Sequence, residues 1–181
     1  MSVSFRDMEN GTRLIQFSGQ SATQSFSRTF LPEIAKAIDS GLTSTDVKAL
    51  VLTGEGKFFS AGADIVAFEK SIEDGDSVDL IRELTDILHP LLIKMRTSKT
   101  IIVAALNGAS AGGGLGLALA CDARVASSQG RMAASYSGIG LSPDGGTTWL
   151  LPRLVGEQIA RKFFFENQIW SADEACALGA I

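Results

Sequence analysis

The chain has 181 residues, 45% hydrophobic and 20% charged, with a net charge of −4. That length and balance suit one globular domain over residues 1–181 with a real core. They argue against a nucleic-acid partner, since no Lys/Arg cluster occurs, and against a membrane span, since every long apolar run is broken by Gly, Asn or charge. Cys121 and Cys176 have neither metal-ligand nor disulfide-framework spacing, and the N-terminal MSVSFRDMENG has no signal-peptide core. A reducing, cytoplasmic setting is therefore expected.

In chain order, Thr12 to Phe17 reads as a strand, and Phe26 to Ile38 as a helix, with Phe30, Ile34, Ala37 and Ile38 on one face. Val47 to Thr53 is a short buried strand, and a helix follows Asp64 up to the polar break at Glu73-Asp74-Gly75-Asp76. Val78 to Met95 carries Leu80, Leu84, Ile87, Leu88, Leu91 and Leu92 on one side, a long amphipathic helix. Thr100 to Leu106 is the clearest strand, and Leu115 to Cys121 a small, tightly packed helix. Ala123 to Ser127 and Arg131 to Ala134 are weaker strands, Thr147 to Leu151 is helix-like, and Glu157 to Glu166 and Ala172 to Leu178 are helical. This alternation predicts an α/β fold.

Two glycine-bearing segments stand out: Ser60-Ala61-Gly62-Ala63-Asp64 and Ala111-Gly112-Gly113-Gly114-Leu115. Each follows a strand-like run and opens a helix-like run. Small residues at a helix start leave backbone N–H groups free, and these attract negative charge. Two such groups converging on one point would make an oxyanion hole, suited to chemistry in which a carbonyl oxygen becomes an anion.

These segments, with Asn107-Gly108, Cys121-Asp122, Gly140-Leu141-Ser142-Pro143-Asp144-Gly145-Gly146 and Leu151-Pro152-Arg153-Leu154-Val155-Gly156, resemble the crotonase (enoyl-CoA hydratase/isomerase) superfamily in the expected order over nearly the whole chain. The resemblance implies a crotonase-like spiral of ββα units and an acyl-CoA substrate, coenzyme A arriving as part of that substrate and no permanently bound cofactor. It assigns the enolate-binding amides to Ala63 and Gly113, and substrate or CoA contacts to Ala61, Asp64, Ile65 and Tyr136. It also implies a homotrimer or dimer of trimers. The family's C-terminal helices, which usually complete the CoA site and pack the trimer, are expected to be missing after Gly179-Ala180-Ile181.

Hydratases of the family carry two glutamates. Their positions here hold Gly116 and Tyr136, neither a carboxylate near neutrality. Asp144 remains. Its residue type and place before Thr147 to Leu151 fit a helix N-cap. By position it matches the catalytic aspartate of family isomerases, and its surroundings look most like the ring-1,2-epoxyphenylacetyl-CoA isomerase branch. Tyr136, Ile139, Leu141 and Trp149 around it would raise its pKa by desolvation, suiting a proton shuttle.

His89, the sole histidine, fits ordinary packing or solvent exposure. It also aligns with the catalytic histidine of 4-chlorobenzoyl-CoA dehalogenase, in which Asp144 would be the nucleophile; Leu88 and Tyr136 stand where that enzyme has tryptophans. A third reading is a non-catalytic acyl-CoA-binding scaffold. One histidine and scattered acids make no metal-ligand set.

Overall fold

The computed structural model describes residues 2–181. Two sheets grow side by side. The first takes β1 (Val3–Asp7), β2 (Thr12–Phe17), β3 (Ala49–Gly54), β5 (Ile101–Leu106) and β7 (Ala123–Ala126), in that spatial order. β1 and β2 are antiparallel, and the remaining pairs are parallel. The second takes β4 (Phe58–Ser60), β6 (Ala109–Ala111), β8 (Arg131–Ala133) and β9 (Ile169–Ser171), parallel except for β9.

From β3 onward, each step along the chain lays one strand in the first sheet, one in the second, and then helix. After β4 come α3 (Ile65–Asp74) and α4 (Ser77–Thr97). After β6 comes α5 (Gly113–Ala120), and after β8 a single 3-10 turn (Ser137–Ile139) and α6 (Thr147–Val155). This is the repeating ββα arrangement that the resemblance implied. β2, β3 and β5 bury alternate residues, and register aligns Ile15 with Leu52 and Leu52 with Ala104 in one core layer. Asn107 staples two units together. Its Oδ1 accepts the Gly54 N–H at 2.8 Å and its Nδ2 donates to the Gly56 and Phe58 carbonyls, both at 3.1 Å.

The remaining elements are α1 (Gln20–Thr23), α2 (Phe30–Leu42), α7 (Glu157–Phe165) and α8 (Ala172–Ala177). Most expected elements appear within a few residues of their sequence bounds. β1, β4, β6, β9 and α1 are additional: the short strands have three residues each, too few for an alternation pattern to declare itself. Hence the glycine segments follow β4 and β6 directly, not the longer strands before them. Phe26 is not helical as expected; it forms an isolated bridge with Ala63, which pulls the start of α2 to Phe30. The polar break narrows to Gly75 and Asp76, because Glu73 and Asp74 complete α3. Among the described residues, no helix is long and apolar enough to cross a membrane.

Candidate active site

The strands of the second sheet deliver two turns to one place. The chain leaves β4 through Gly62 at φ +84° and β6 through Gly112 at φ +51°, left-handed conformations that other residues resist. A Cβ on Gly62 would lie 2.6 Å from the Ala111 carbonyl oxygen and 3.3 Å from the Gly113 nitrogen, so the turns are in direct contact. The amides of Ala63 and Gly113 donate to no backbone or side-chain acceptor among the described residues. Both residues line one cavity of about 660 Å³, together with Ala61 and Ile65.

The cavity wall is mostly apolar: Phe26, Leu31, Phe68, Leu84, Leu88 and Leu141. α4 contributes Leu84 and Leu88 from its buried stripe, and Thr85 and His89 beside them. Among the described residues, Asp144 is the one carboxylate on this lining and His89 the one imidazole. Asp64 stands apart. It borders an adjoining cleft, and its Oδ1 accepts the Ala67 N–H at 3.1 Å as the N-cap of α3.

Asp144 does not cap a helix, contrary to its residue type. Gly145 and Gly146 both take positive φ, 57° and 75°, and insert an extra turn, so Gly146 becomes the N-cap of α6 with no side-chain bond. The Asp144 backbone carbonyl instead accepts from the Thr147 N–H at 3.0 Å and the Thr147 hydroxyl at 2.8 Å. Its carboxyl is left facing the cavity. Burial raises the Asp144 pKa above 3.8, opposed by the Tyr136 hydroxyl and the charge of His89. The group has open surface, but that surface is cavity wall, so the surrounding protein still desolvates it.

Tyr136 is 3% exposed. Burial, then the Asp144 charge, push its phenol upward, so it remains a neutral hydroxyl, donating to the Asp144 carbonyl at 3.4 Å. Ile139 and Leu141 line the cavity as expected. Trp149 does not. It is 63% exposed and lies under the Arg153 guanidinium, 3.0 Å from the ring centroid.

At Gly116, where the resemblance implies a glutamate in hydratases, a Cβ would lie 2.5 Å from the Gly145 carbonyl oxygen. The turn carrying Asp144 occupies the space a side chain would need. The lining also includes residues that the sequence does not mark as functional, among them Phe26, Ser135 and Asn167. Ser135 and Asn167 are the two non-glycine residues with positive φ among those described, at 53° and 50°, and such conformations gather at functional sites.

Residues 7–181 match a family model described as enoyl-CoA hydratase/isomerase. Over 147 residues the chain is 36% identical to EchA14 of Mycobacterium tuberculosis, named a probable enoyl-CoA hydratase, covering 81% of this chain and 56% of that one. It is 32% identical over 174 residues to 4-chlorobenzoyl coenzyme A dehalogenase-2 of Arthrobacter sp, covering 95% and 62%. A crystal structure from Mycobacterium abscessus, assigned by name to the enoyl-CoA hydratases/isomerases, superposes with a TM-score of 0.91 at 28% identity, covering 99% of this chain and 68% of that one. The chain spans 56–61% of the length of the first curated relatives it matches.

Proposed function

Because the chain belongs to the enoyl-CoA hydratase/isomerase family, we propose that it is an acyl-CoA isomerase in which Asp144 moves a proton across an enolate held by the Ala63 and Gly113 amides. The observation that carries this reading is the pairing of two unpartnered amides with a single carboxylate on one apolar cavity. The acyl group docks with its thioester oxygen at the two amides. The Asp144 carboxylate takes a proton from the carbon next to the thioester. The C–H electron pair moves toward the oxygen, giving an enolate stabilised by the two donors and by the positive end of α5. Protonated Asp144 then returns the proton at a second carbon, shifting a double bond or completing a ring rearrangement with no net change in atoms. Burial, which raises the Asp144 pKa, makes it a stronger base than a free carboxylate and a competent acid in the return step.

The lining also supports a substrate class. Besides Asp144, its titratable side chains are His89 and Tyr136, with no Lys or Arg. The acyl portion is therefore uncharged and bulky, such as an aryl or medium-length alkyl group, because a distal carboxylate would enter an apolar wall without a counter-ion.

Hydration is disfavoured, since neither Gly116 nor Tyr136 supplies a second carboxylate. A dehalogenase-like second reading is favoured by His89 lying on the same cavity close enough for its charge to act on Asp144. The test uses phenylacetyl-CoA in deuterated buffer. The wild type exchanges the α-proton; Asp144→Asn still binds, by thermal shift, and loses exchange by about 10²–10⁴-fold. Exchange at the wild-type rate in Asp144→Asn removes the shuttle. Binding by the wild type without any exchange favours the scaffold. A single turnover of 4-chlorobenzoyl-CoA in heavy-oxygen water, leaving label in the Asp144 carboxylate, favours the nucleophile.

A further inference from the structure

The orientation of a backbone donor is fixed by whatever holds the carbonyl at the other end of its peptide. In a trans peptide the C=O and the following N–H point in opposite directions, and this chain has no cis peptide among the described residues. The Ala63 N–H shares its peptide with the Gly62 carbonyl. That carbonyl accepts the backbone N–H of Phe26 at 3.0 Å. Phe26 is thus bound to the face of the peptide opposite the one from which the Ala63 N–H emerges.

Further contacts come from the same short segment. The Ala22 carbonyl accepts the Ala61 N–H at 2.8 Å. The Gly62 N–H donates to the Ser60 hydroxyl at 3.3 Å, the Ser60 hydroxyl donates to Ser25 at 2.8 Å, and Ser25 donates to the Ser21 carbonyl at 2.6 Å. Ser21, Ser25 and Ser60 are fully buried, so water does not compete for these bonds. The Phe26 ring meanwhile lies against the α-carbon of Gly113, where any Cβ would overlap the ring. Phe26 is 4% exposed. One residue therefore touches both turns, holding one by its backbone and the other by its ring.

We infer that Phe26 is the positioning residue of the site: its N–H aims the Ala63 amide and its ring spaces that amide from Gly113, with Ser60 and Ser25 as the supporting bonds. The inference rests on the enolate-binding reading proposed above. Phe26 and Ser25 lie before α2, outside both glycine segments, and carry no chemistry of their own.

The test replaces only the Phe26 N–H by oxygen, incorporating phenyllactic acid at position 26 so that the ring stays. Phenylacetyl-CoA labelled with ¹³C at the thioester carbonyl is bound, and its stretching frequency is read by difference infrared spectroscopy beside α-proton exchange. In the wild type the amides polarise the carbonyl and lower its frequency. In the ester variant that lowering is at least halved and exchange falls about tenfold or more, with Kd for the thioester within about twofold. Should the ester variant fail to fold, Ser60→Ala, which removes the Gly62 N–H acceptor, is expected to shift the frequency in the same direction by a smaller amount. An unchanged carbonyl frequency in a folded variant overturns the role of Phe26. A wild-type complex with no frequency lowering overturns the enolate-binding reading itself, so the two failures are distinguishable.

Discussion

The two turns that carry the unpartnered amides reach the same cavity by different physics. Gly113 opens α5, and the Gly112 carbonyl before it accepts the Gly116 N–H at 3.2 Å. Its orientation comes from local helix bonding, inside a segment whose residues Gly114 to Ala120 are all buried. Ala63 precedes its helix: the N-cap of α3 is Asp64, and α3 buries only Ser71. Its orientation is borrowed from Phe26, 37 positions earlier in the chain. One donor is oriented by local helix bonds, the other by a tertiary contact. The Ala63 half is therefore the softer one, and the half through which substitutions outside the cavity would alter the site.

The strongest challenge to that contrast is Gly113→Ala. The new methyl would enter the Phe26 ring, displacing the brace of one turn while altering the other. Alpha-proton exchange is expected to fall by about 10²-fold or more, and stability by about 1–3 kcal/mol of overpacking, read by thermal denaturation. Exchange within threefold of wild type would mean that the ring and the glycine are not coupled, and the two turns would have to be treated as independent.

A milder change touches only the soft half. Asp64→Ala removes the N-cap bond to the Ala67 N–H, a loss of about 1 kcal/mol or roughly 2–4 °C in melting temperature for a chain of this size. The Gly113 turn has no counterpart, because Gly112 caps α5 without a side chain. Exchange is expected to drop by no more than about tenfold, since Phe26 still holds the Gly62 carbonyl. A rise in KM for the thioester beyond that drop would assign Asp64 to CoA binding as well.

The same contrast explains what the amino-acid sequence made legible. The Gly113 turn, α5 and the strands β2, β3 and β5 are written in local patterns, a small-residue run or an alternation over six residues, and these were readable. The ββα order was available only through the family resemblance, since β4 and β6 are too short to show an alternation. The spacing of its neighbours predicts Phe26 to be helical; the bridge to Ala63, a partner across the fold, takes it out of the helix. The Asp144 cap failed for a related reason. An aspartate three residues before a helix-like run is a good cap by type, but two consecutive left-handed glycines place an extra turn between them. The sequence places Trp149 near Asp144, yet it faces outward with the Arg153 guanidinium over its ring. Local periodicity cannot report a contact made 37 residues away, nor a rotation introduced by positive φ.

Asp144 belongs with the rigid half, since its turn packs on α5: a Cβ on Gly145 would lie 3.9 Å from the α-carbons of both Gly113 and Gly116. Removing its charge should leave that packing intact, so the smallest expected effect is on stability, and its sign is fixed by the direction of the pKa shift. In the folded protein burial holds the Asp144 pKa above the 3.8 of a free side chain. The folded state therefore binds this proton more tightly than the unfolded state, and the ionised carboxylate opposes folding. At a pH well below 3.8 the group is protonated in both states and the opposition vanishes. It grows as pH rises from 3.8 through the folded-state pKa and is complete above it. Asp144→Asn should match the wild type in melting temperature at the acid end and exceed it near neutrality. A difference of about 1–2 °C is expected, small because the carboxylate has open surface in the cavity. In the wild type, exchange should rise with pH over a limb whose midpoint lies above 3.8, because the base must be ionised. A variant less stable than the wild type at neutral pH would mean that Asp144 holds its turn on α5, and its place would then be structural on the same half of the site that needs no side chain to orient its amide.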